Sequence, residues 1–269
     1  MEFNGDIHSL IRSSSKSFSL IGSRLPTSRD AYFISKRQEI IEQYAAARLF
    51  LGETETEDWD HWFNKLDDEQ FQKIAQLTMR AYLYETALIY YNIVVDLSWT
   101  ACYLASEFSL AQRGERVDFG GIKPVDEAYS LMRKAENLVT HPTAEENPFG
   151  YLKLMCPEFS TAIDLIVSFW EPFMQSNIRQ KYNYCKHKGK PSYSEITTIA
   201  DPVRTLGLYL QDEDGNQVEL TSDPQDVRLH CSLEDSIAEL VSFDNEQLFP
   251  YISNLLNELE RVINPSPFI

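Results

Sequence analysis

Apolar side chains in the first part of the chain recur at the spacing of an α-helix. Pro26 opens this stretch, and Gly52 is placed to end it after Leu51. The apolar positions fit a period of 3.6 residues better than strict alternation, so they cover one face of a helix. We therefore predict a helix over residues 26–51 that buries this face. The stripe consists of Ile34, Ile40, Ile41, Tyr44, Ala45, Leu49 and Phe50.

A second periodic segment runs from Asp68 to about Phe108 and contains neither Gly nor Pro. Asp67 or Asp68 can cap its first turn, because a carboxylate there accepts hydrogen bonds from backbone amides. The pattern predicts one very long helix or two consecutive helices. Asp96 interrupts an apolar run, and we expect it either to bond to a tyrosine or to face a partner subunit. The apolar positions are Ile74, Leu77, Leu83, Ala87, Ile93, Val94, Leu97 and Cys102.

Helical patterns continue in the middle of the chain. A helix is predicted from Pro124 to about residue 139. After Pro157, residues 158–187 are expected to form two consecutive helical pieces, with Pro172 at a kink or in the first turn of the second piece. Gly189 is placed to end that second piece.

The pattern changes after Gly189. Two short alternating runs flank Asp214-Gly215 and predict a β-hairpin within residues 207–221. Further strand is expected within residues 227–243, followed by a helix over residues 249–262. The predicted fold class is mainly α, a bundle of long helices with a small β-hairpin element near the C-terminus. Residues 1–190 would form the helical core, 191–243 a β-containing insertion packed on it, and 244–269 the closing helix of the same domain.

Charge restricts the possible partners. The chain has 41 acidic and 24 basic side chains, a net charge of −17. An acidic surface repels phosphate backbones and anionic lipids, so contact with nucleic acid must be local. No apolar run approaches the ~20 residues of a membrane helix, and residues 11–17 are too polar for a secretion signal. The four cysteines form no CxxC pair, which favours reduced thiols in the cytoplasm. We expect no metal or other cofactor.

One basic island interrupts this acidic chain. Between Glu171 and Glu195 there is no acidic residue, and a phosphate-bearing partner would dock there. Arg179, Asn183 and His187 follow one another at i, i+4 spacing and are predicted to share one helix face. This face would combine a fixed cation, an amide and an imidazole, the parts of phosphodiester chemistry. The alternative is an ordinary cationic helix end that complements the helix dipole. The lysines of the island are Lys181, Lys186, Lys188 and Lys190.

The segment Lys181–Gly189, KYNYCKHKG, resembles the signature helix end of HEPN domains in its Asn-x-x-Lys-His-x-Gly form. The resemblance implies a bundle of long helices and a homodimer in which the motif helices of two subunits meet at a cleft. Many members are metal-independent ribonucleases of defence or toxin-type systems. His187 would then be the general acid or base, Asn183 would orient groups, and an arginine would stabilise the phosphorane. We expect substrate contacts from Lys181, Lys186, Lys188, Lys190 and Tyr182.

The arginine departs from the family pattern. With Asn183 as the polar member, the family's arginine position is Tyr182, and Arg179 is separated from His187 by seven residues instead of four to six. Either Arg179 or Lys181 supplies the missing cation, or the chain does not cleave RNA. Three functions therefore stay open. They are an RNA-acting enzyme, an inactive HEPN-like module that binds a nucleotide or a protein, and a structural helical scaffold.

Other constellations are weaker. Asp58, Asp60 and His61 are too few and too close to Trp59 to specify a metal site. His230 and Cys231 are adjacent, and neighbouring side chains in a strand point to opposite faces, so they are not expected to act as a pair. The cations around Cys185 favour a lowered pKa of its thiol, but no resolving cysteine is evident, so a redox role is not expected.

Overall fold

The computed structural model describes residues 2–6, 28–56, 68–106, 108–110, 115–116, 153, 156–200, 209–211, 215–219 and 228–263. Helices dominate these residues and the strands are only two or three residues long, which confirms the mainly α prediction. The helices are α1 (Ser28–Glu53), α2 (Glu69–Ala105), α3 (Ser160–Gln175), α4 (Asn177–His187), α5 (Ser194–Ala200), α6 (Leu233–Phe243) and α7 (Phe249–Ile263). The strands are β1 (Phe108–Leu110), β2 (Glu115–Arg116), β3 (Ser192–Tyr193), β4 (Tyr209–Gln211), β5 (Gln217–Glu219) and β6 (His230–Cys231).

Helices α1 and α2 pack against each other along their length and supply much of the core. The uninterrupted period of the second segment produces one long helix, as the absence of Gly and Pro allows. Asp68 caps it, because its carboxylate accepts hydrogen bonds from the amides of Gln70 and Phe71 at 2.8 and 3.2 Å. Helix α1 ends at Glu53, one residue beyond the predicted stop at Gly52.

The junction between α3 and α4 lies at Ser176 instead of Pro172. The Ser176 hydroxyl accepts a hydrogen bond from the amide of Arg179 at 3.2 Å and caps α4. Pro172 lies within α3, so the prediction that it begins the second piece is wrong. Pro172 and Ser168, whose carbonyl loses its helical donor to the proline, are both exposed. Solvent can therefore satisfy that carbonyl, and the helix continues past the proline.

The strand expected within residues 227–243 is wrong over most of its length, because Leu233–Phe243 is helical. Its buried positions follow a helical spacing, and the Ser232 hydroxyl caps it by accepting from the Asp235 amide at 3.1 Å. A π-helical turn over Asp244–Leu248 joins α6 to α7. Helix α7 confirms the closing helix predicted over residues 249–262.

Two strand pairs matter for the site and for the predictions. Strands β4 and β5 form the predicted antiparallel hairpin, and Gly215 in its turn has φ +81°. Strands β3 and β6 pair in parallel, with Ser192 opposite His230 and Tyr193 opposite Cys231. This second pair brings the residues before α6 next to the end of α4. The helix predicted from Pro124 lies outside the described residues, and the division into core, insertion and closing helix stays a prediction.

A buried polar network lies where α1 meets the π-helical turn. Arg48 donates a hydrogen bond from Nε to Asp244 Oδ2 at 2.8 Å, and the Tyr44 hydroxyl donates to the same carboxylate. Asp244 is fully buried. Arg48 also donates to the carbonyls of Asn4 and Gly5 at 2.9 and 2.8 Å, so it holds residues 2–6 against the bundle. Among the described helices, none has both the length and the apolar character needed to cross a membrane.

Candidate functional site

A surface groove of about 760 Å³ runs between helix α4 and strand β6. We call it the α4–β6 groove. Its lining combines amides, imidazoles and ammonium groups, and contains no carboxylate among the described residues. The lining residues are Asn177, Gln180, Lys181, Asn183, Tyr184, His187, Lys188, Leu229, His230 and Cys231.

Helix α4 is fixed in place by its two ends and its buried face. Ile178 and Tyr182 are buried, and they anchor the helix to the bundle. At the C-terminal end, the amides of Lys188 and Gly189 both donate to the carbonyl of Tyr184, at 2.8 and 3.1 Å. Gly189 has φ +127°, a conformation that favours glycine, so the predicted helix stop is confirmed. The opposite face of α4 is left to line the groove.

Two of the three predicted catalytic residues lie together in the groove. Asn183 and His187 are both exposed, are one helical turn apart, and line the same depression. Lys188 follows directly and is also exposed. In the described part of the chain, Lys188 has no acidic partner within ion-pair distance. An amide, an imidazole and an ammonium group are thus available at one end of α4.

Arg179 does not line the groove, which corrects the predicted shared face. Its Nη1 donates to Oδ1 of Asn92 at 3.1 Å and lies 4.0 Å from Oδ1 of Asp96, so the side chain reaches towards α2. Its guanidinium lies 5.1–5.6 Å from the ring centroids of Trp170, Phe173 and Tyr182. The reason is geometric. Each i, i+4 step advances about 40° around the helix, so Arg179 lies about 80° from His187, at the edge of the α4 face that lines the groove.

Most of the remaining predicted substrate contacts are already engaged within the protein. Lys181 donates to Glu239 Oε2 at 2.6 Å and to Ser236 Oγ at 3.1 Å, although it borders the groove. Lys190 lies 3.4 Å from the ring centroid of Tyr82.

Tyr182 is only 6% exposed, and its ring faces the bundle interior. The prediction that it contacts the substrate is wrong, because a phenol that anchors α4 cannot also stack on a base. Lys186 is exposed and lies 5.6 Å from the Tyr182 ring centroid.

His230 is a groove residue that the sequence pattern did not indicate. It lies in β6, and the parallel pairing of β6 with β3 brings it beside α4. Only this pairing between distant segments joins His187 and His230 in one groove, and no local periodicity signals such a contact. The single available hint was the presence of a histidine in a short segment bounded by polar residues.

The thiols near the groove are protonated, in contrast to the predicted activation of Cys185. Burial, followed by the nearby Glu85 carboxylate, raises the pKa of the Cys185 thiol to about 11. Burial also raises the pKa of Cys231. These shifts outweigh the cations of the island, because the side chains of both cysteines are partly removed from water. The groove therefore offers imidazole, amide and ammonium chemistry without a thiolate.

The described part of the chain contains no cluster of three or more His, Cys, Asp or Glu side chains that could hold a metal ion. The weaker candidates Asp58, Asp60 and His61 lie outside the described residues. Comparisons of the chain with protein-family models, with curated proteins and with solved structures return no match.

Proposed function

We propose that the α4–β6 groove binds the backbone of single-stranded RNA and cleaves it without a metal ion, as the resemblance of Lys181–Gly189 to HEPN domains implies. The observation that carries this proposal is the convergence of His187, Asn183 and Lys188 on one groove in which none of the described lining residues carries a carboxylate. In a protein of net charge −17, a groove lined by amides, imidazoles and ammonium groups reduces the repulsion that a polyanion meets.

Each of these side chains has a role that its chemistry allows. The imidazole of His187 exchanges a proton with the 2′-hydroxyl or with the leaving oxygen, because an imidazole ring has one nitrogen that can accept a proton and one that can donate it. The Asn183 amide donates a hydrogen bond that orients the phosphate. Lys188 places its ammonium beside the negative charge that develops on the phosphorane. This last role is the one that the family assigns to its arginine.

The acidic remainder of the surface supports specificity for the groove. The chain as a whole has a net charge of −17, whereas the exposed Lys186 and Lys188 at the end of α4 offer positive charge to RNA. Unstacked, flexible strands adapt to a depression of this size more easily than a duplex. We therefore propose a single-stranded substrate.

One observation favours a second candidate, an inactive module that binds RNA or a nucleotide without cleaving it. The guanidinium of Arg179 is held by Asn92 and surrounded by aromatic rings, so it is not placed to stabilise a transition state in the groove. If Lys188 does not replace it, binding occurs without turnover. A homodimer, a protein partner and a role in a defence or toxin-type system follow from the HEPN resemblance alone and stay predictions.

Cleavage of a mixed-sequence RNA in EDTA tests the proposal. The wild-type protein is compared with His187→Ala and with Lys153→Ala, which removes an exposed lysine outside the groove. We expect 2′,3′-cyclic phosphate ends from the wild type and from Lys153→Ala, and their loss in His187→Ala. RNA binding without cleavage by the wild type would establish the inactive module instead. Absence of both binding and cleavage would leave a protein-binding module or the structural scaffold.

A further inference from the structure

We propose that His230 is a second catalytic residue, and that it and His187 act as an acid–base pair across the α4–β6 groove. This inference rests on the proposed function and adds a residue from a different element. Cleavage of RNA to a 2′,3′-cyclic phosphate needs one group that takes the proton of the 2′-hydroxyl and another that gives a proton to the 5′-oxygen. A single histidine on α4 supplies only one of the two at a time.

The position of His230 is set by the backbone. Strand β6 pairs in parallel with β3, and the Ser192 amide donates to the carbonyl of Leu229 at 2.8 Å. Both residues of β6 line the groove, and they differ in exposure. Cys231 is partly buried against the hydrophobic core, whereas the His230 side chain is exposed. The capped start of α6 follows immediately, at Ser232.

The other groups around the groove are less suited to proton transfer than the imidazoles of His187 and His230. Lys181 is paired with Glu239, and the Cys231 thiol is kept protonated by burial. Tyr184 contributes a phenol hydroxyl, and Lys188 contributes an ammonium group, which has no acceptor atom. The Glu195 carboxylate is engaged elsewhere, because it accepts hydrogen bonds from Ser232 and from the start of α6. Among the described residues that line the groove, the imidazoles of His187 and His230 are therefore the two groups that can each accept or donate a proton.

The reaction balances without any further reagent. The neutral imidazole takes the proton of the 2′-hydroxyl, and the 2′-oxygen forms a bond to phosphorus. The protonated imidazole gives its proton to the 5′-oxygen as the P–O5′ bond breaks. The products are a 2′,3′-cyclic phosphate and a 5′-hydroxyl, and the two histidines end with exchanged protonation states. Proton exchange with water restores them.

Two substrates separate the roles. A dinucleoside monophosphate needs an acid for its alkoxide leaving group, whereas a nucleoside 3′-(4-nitrophenyl phosphate) releases a nitrophenolate that needs none. On the dinucleoside monophosphate, we expect His187→Ala and His230→Ala each to lower kcat/KM by about 10²–10⁴-fold. Each variant should also lose one limb of the bell-shaped pH profile. On the nitrophenyl ester, only the variant that lacks the acid recovers, and it does so to near the wild-type rate.

The outcomes distinguish the two proposals. A wild-type protein that cleaves neither substrate overturns the ribonuclease proposal and the histidine pair together. In a second outcome, the wild type cleaves and His187→Ala is inactive, but His230→Ala keeps the wild-type rate and both limbs of the pH profile. That result overturns the role of His230 alone. Recovery of both variants on the nitrophenyl ester also overturns the pair, because no base would then be missing. His230→Gln, which keeps a polar side chain at this exposed position, guards against a folding defect when its melting temperature matches the wild type.

Discussion

Arg179 donates a hydrogen bond from Nη1 to Oδ1 of the fully buried Asn92, at 3.1 Å, and this bond fastens α4 to the middle of α2. The side chain of Arg179 is 13% exposed and lies over three aromatic rings of α3 and α4. A residue that the sequence suggested for catalysis is thus placed to hold the helix that carries the groove. Under the proposed function, Arg179 would act only indirectly, by holding the helix that carries Asn183 and His187.

The first prediction concerns this structural role. Arg179→Ala should lower the free energy of unfolding by about 2–3 kcal/mol, because it removes a charged hydrogen bond and cation–π contacts and leaves the Asn92 oxygen unsatisfied. Urea denaturation followed by circular dichroism measures the loss. Lys186→Ala on the same helix removes an exposed cation and should cost less than about 0.5 kcal/mol. An Arg179→Ala protein of full stability that no longer cleaves RNA would instead place Arg179 in the catalytic site.

The second prediction concerns the pH dependence of stability. Burial alone raises the pKa of the Glu195 carboxyl, but hydrogen bonds from the amides of Leu233 and Glu234 and from the Ser232 hydroxyl outweigh it and set the pKa at about 2. Since the folded pKa lies below the usual 4.5, the carboxylate stabilises the fold fully above that value. The stabilisation is lost as the pH falls from about 4.5 to about 2.

Glu195→Gln tests this linkage. We expect it to lower the free energy of unfolding at pH 7 by about 1–2 kcal/mol, a figure reduced from the full pKa shift because the carboxylate is partly exposed to solvent. The difference between variant and wild type should shrink as the pH falls towards 2. If the difference in free energy of unfolding between Glu195→Gln and the wild type stays constant over this pH range, the Glu195 side chain stabilises the start of α6 through its shape and not through its charge.

Sequence patterns predicted the elements whose signals are local. The Asp214-Gly215 hairpin and the long helix after Asp68 were found because turn residues, a capping carboxylate and an uninterrupted period lie within the segment itself. The helix α6 was missed although Ser232 and Asp235 form a capping signal before its apolar stripe. That signal was the better guide, because a short apolar run fits a strand and a helix equally well.

The site was harder to predict than the fold. Asn183 and His187 were identified because they lie on one turn of one helix. The direction of Arg179 was not, because it depends on aromatic rings from α3 and on Asn92 from α2. His230 joins the groove only through the pairing of β3 with β6. Contacts between distant segments decide both positions, and a single sequence carries no direct record of them.

The third prediction concerns the buried network at the π-helical turn. Asp244→Ala should lower the free energy of unfolding by about 3–5 kcal/mol, because it leaves the Arg48 guanidinium and the Tyr44 hydroxyl buried without their acceptor. Asp244→Asn keeps an acceptor oxygen and should cost less. Thermal unfolding of the two variants measures the order. Equal melting temperatures for Asp244→Ala and the wild type would mean that the network contributes nothing net to folding.

The fourth prediction concerns the cysteine of α4. Because the pKa of Cys185 is raised to about 11, its thiolate fraction at neutral pH is roughly a hundredfold below that of a thiol with the usual pKa of 9.0. We expect alkylation of Cys185 by iodoacetamide at pH 7.5 to be at least that much slower in the folded protein than in urea. Peptide mass spectrometry assigns the modified residue. Rapid labelling of Cys185 in the folded state would show instead that the surrounding lysines lower the pKa of its thiol.

The fifth prediction concerns the electrostatics of RNA binding. A lysine that contacts a phosphate releases a counterion, so its removal reduces the slope of log K against log salt by about 0.7 for a single strand. Lys188 lines the α4–β6 groove, so we expect Lys188→Ala to show this reduced slope. Fluorescence anisotropy of a short labelled oligonucleotide measures the binding.

Lys153→Ala makes the same change in charge at an exposed site outside the groove and should keep the wild-type slope. Equal slopes for both variants and the wild type would show that Lys188 makes no phosphate contact. A parallel reduction in both variants would show that RNA responds to the total charge of the protein and not to the groove. Only a loss confined to Lys188→Ala places the polyanion where His187 can reach its phosphates.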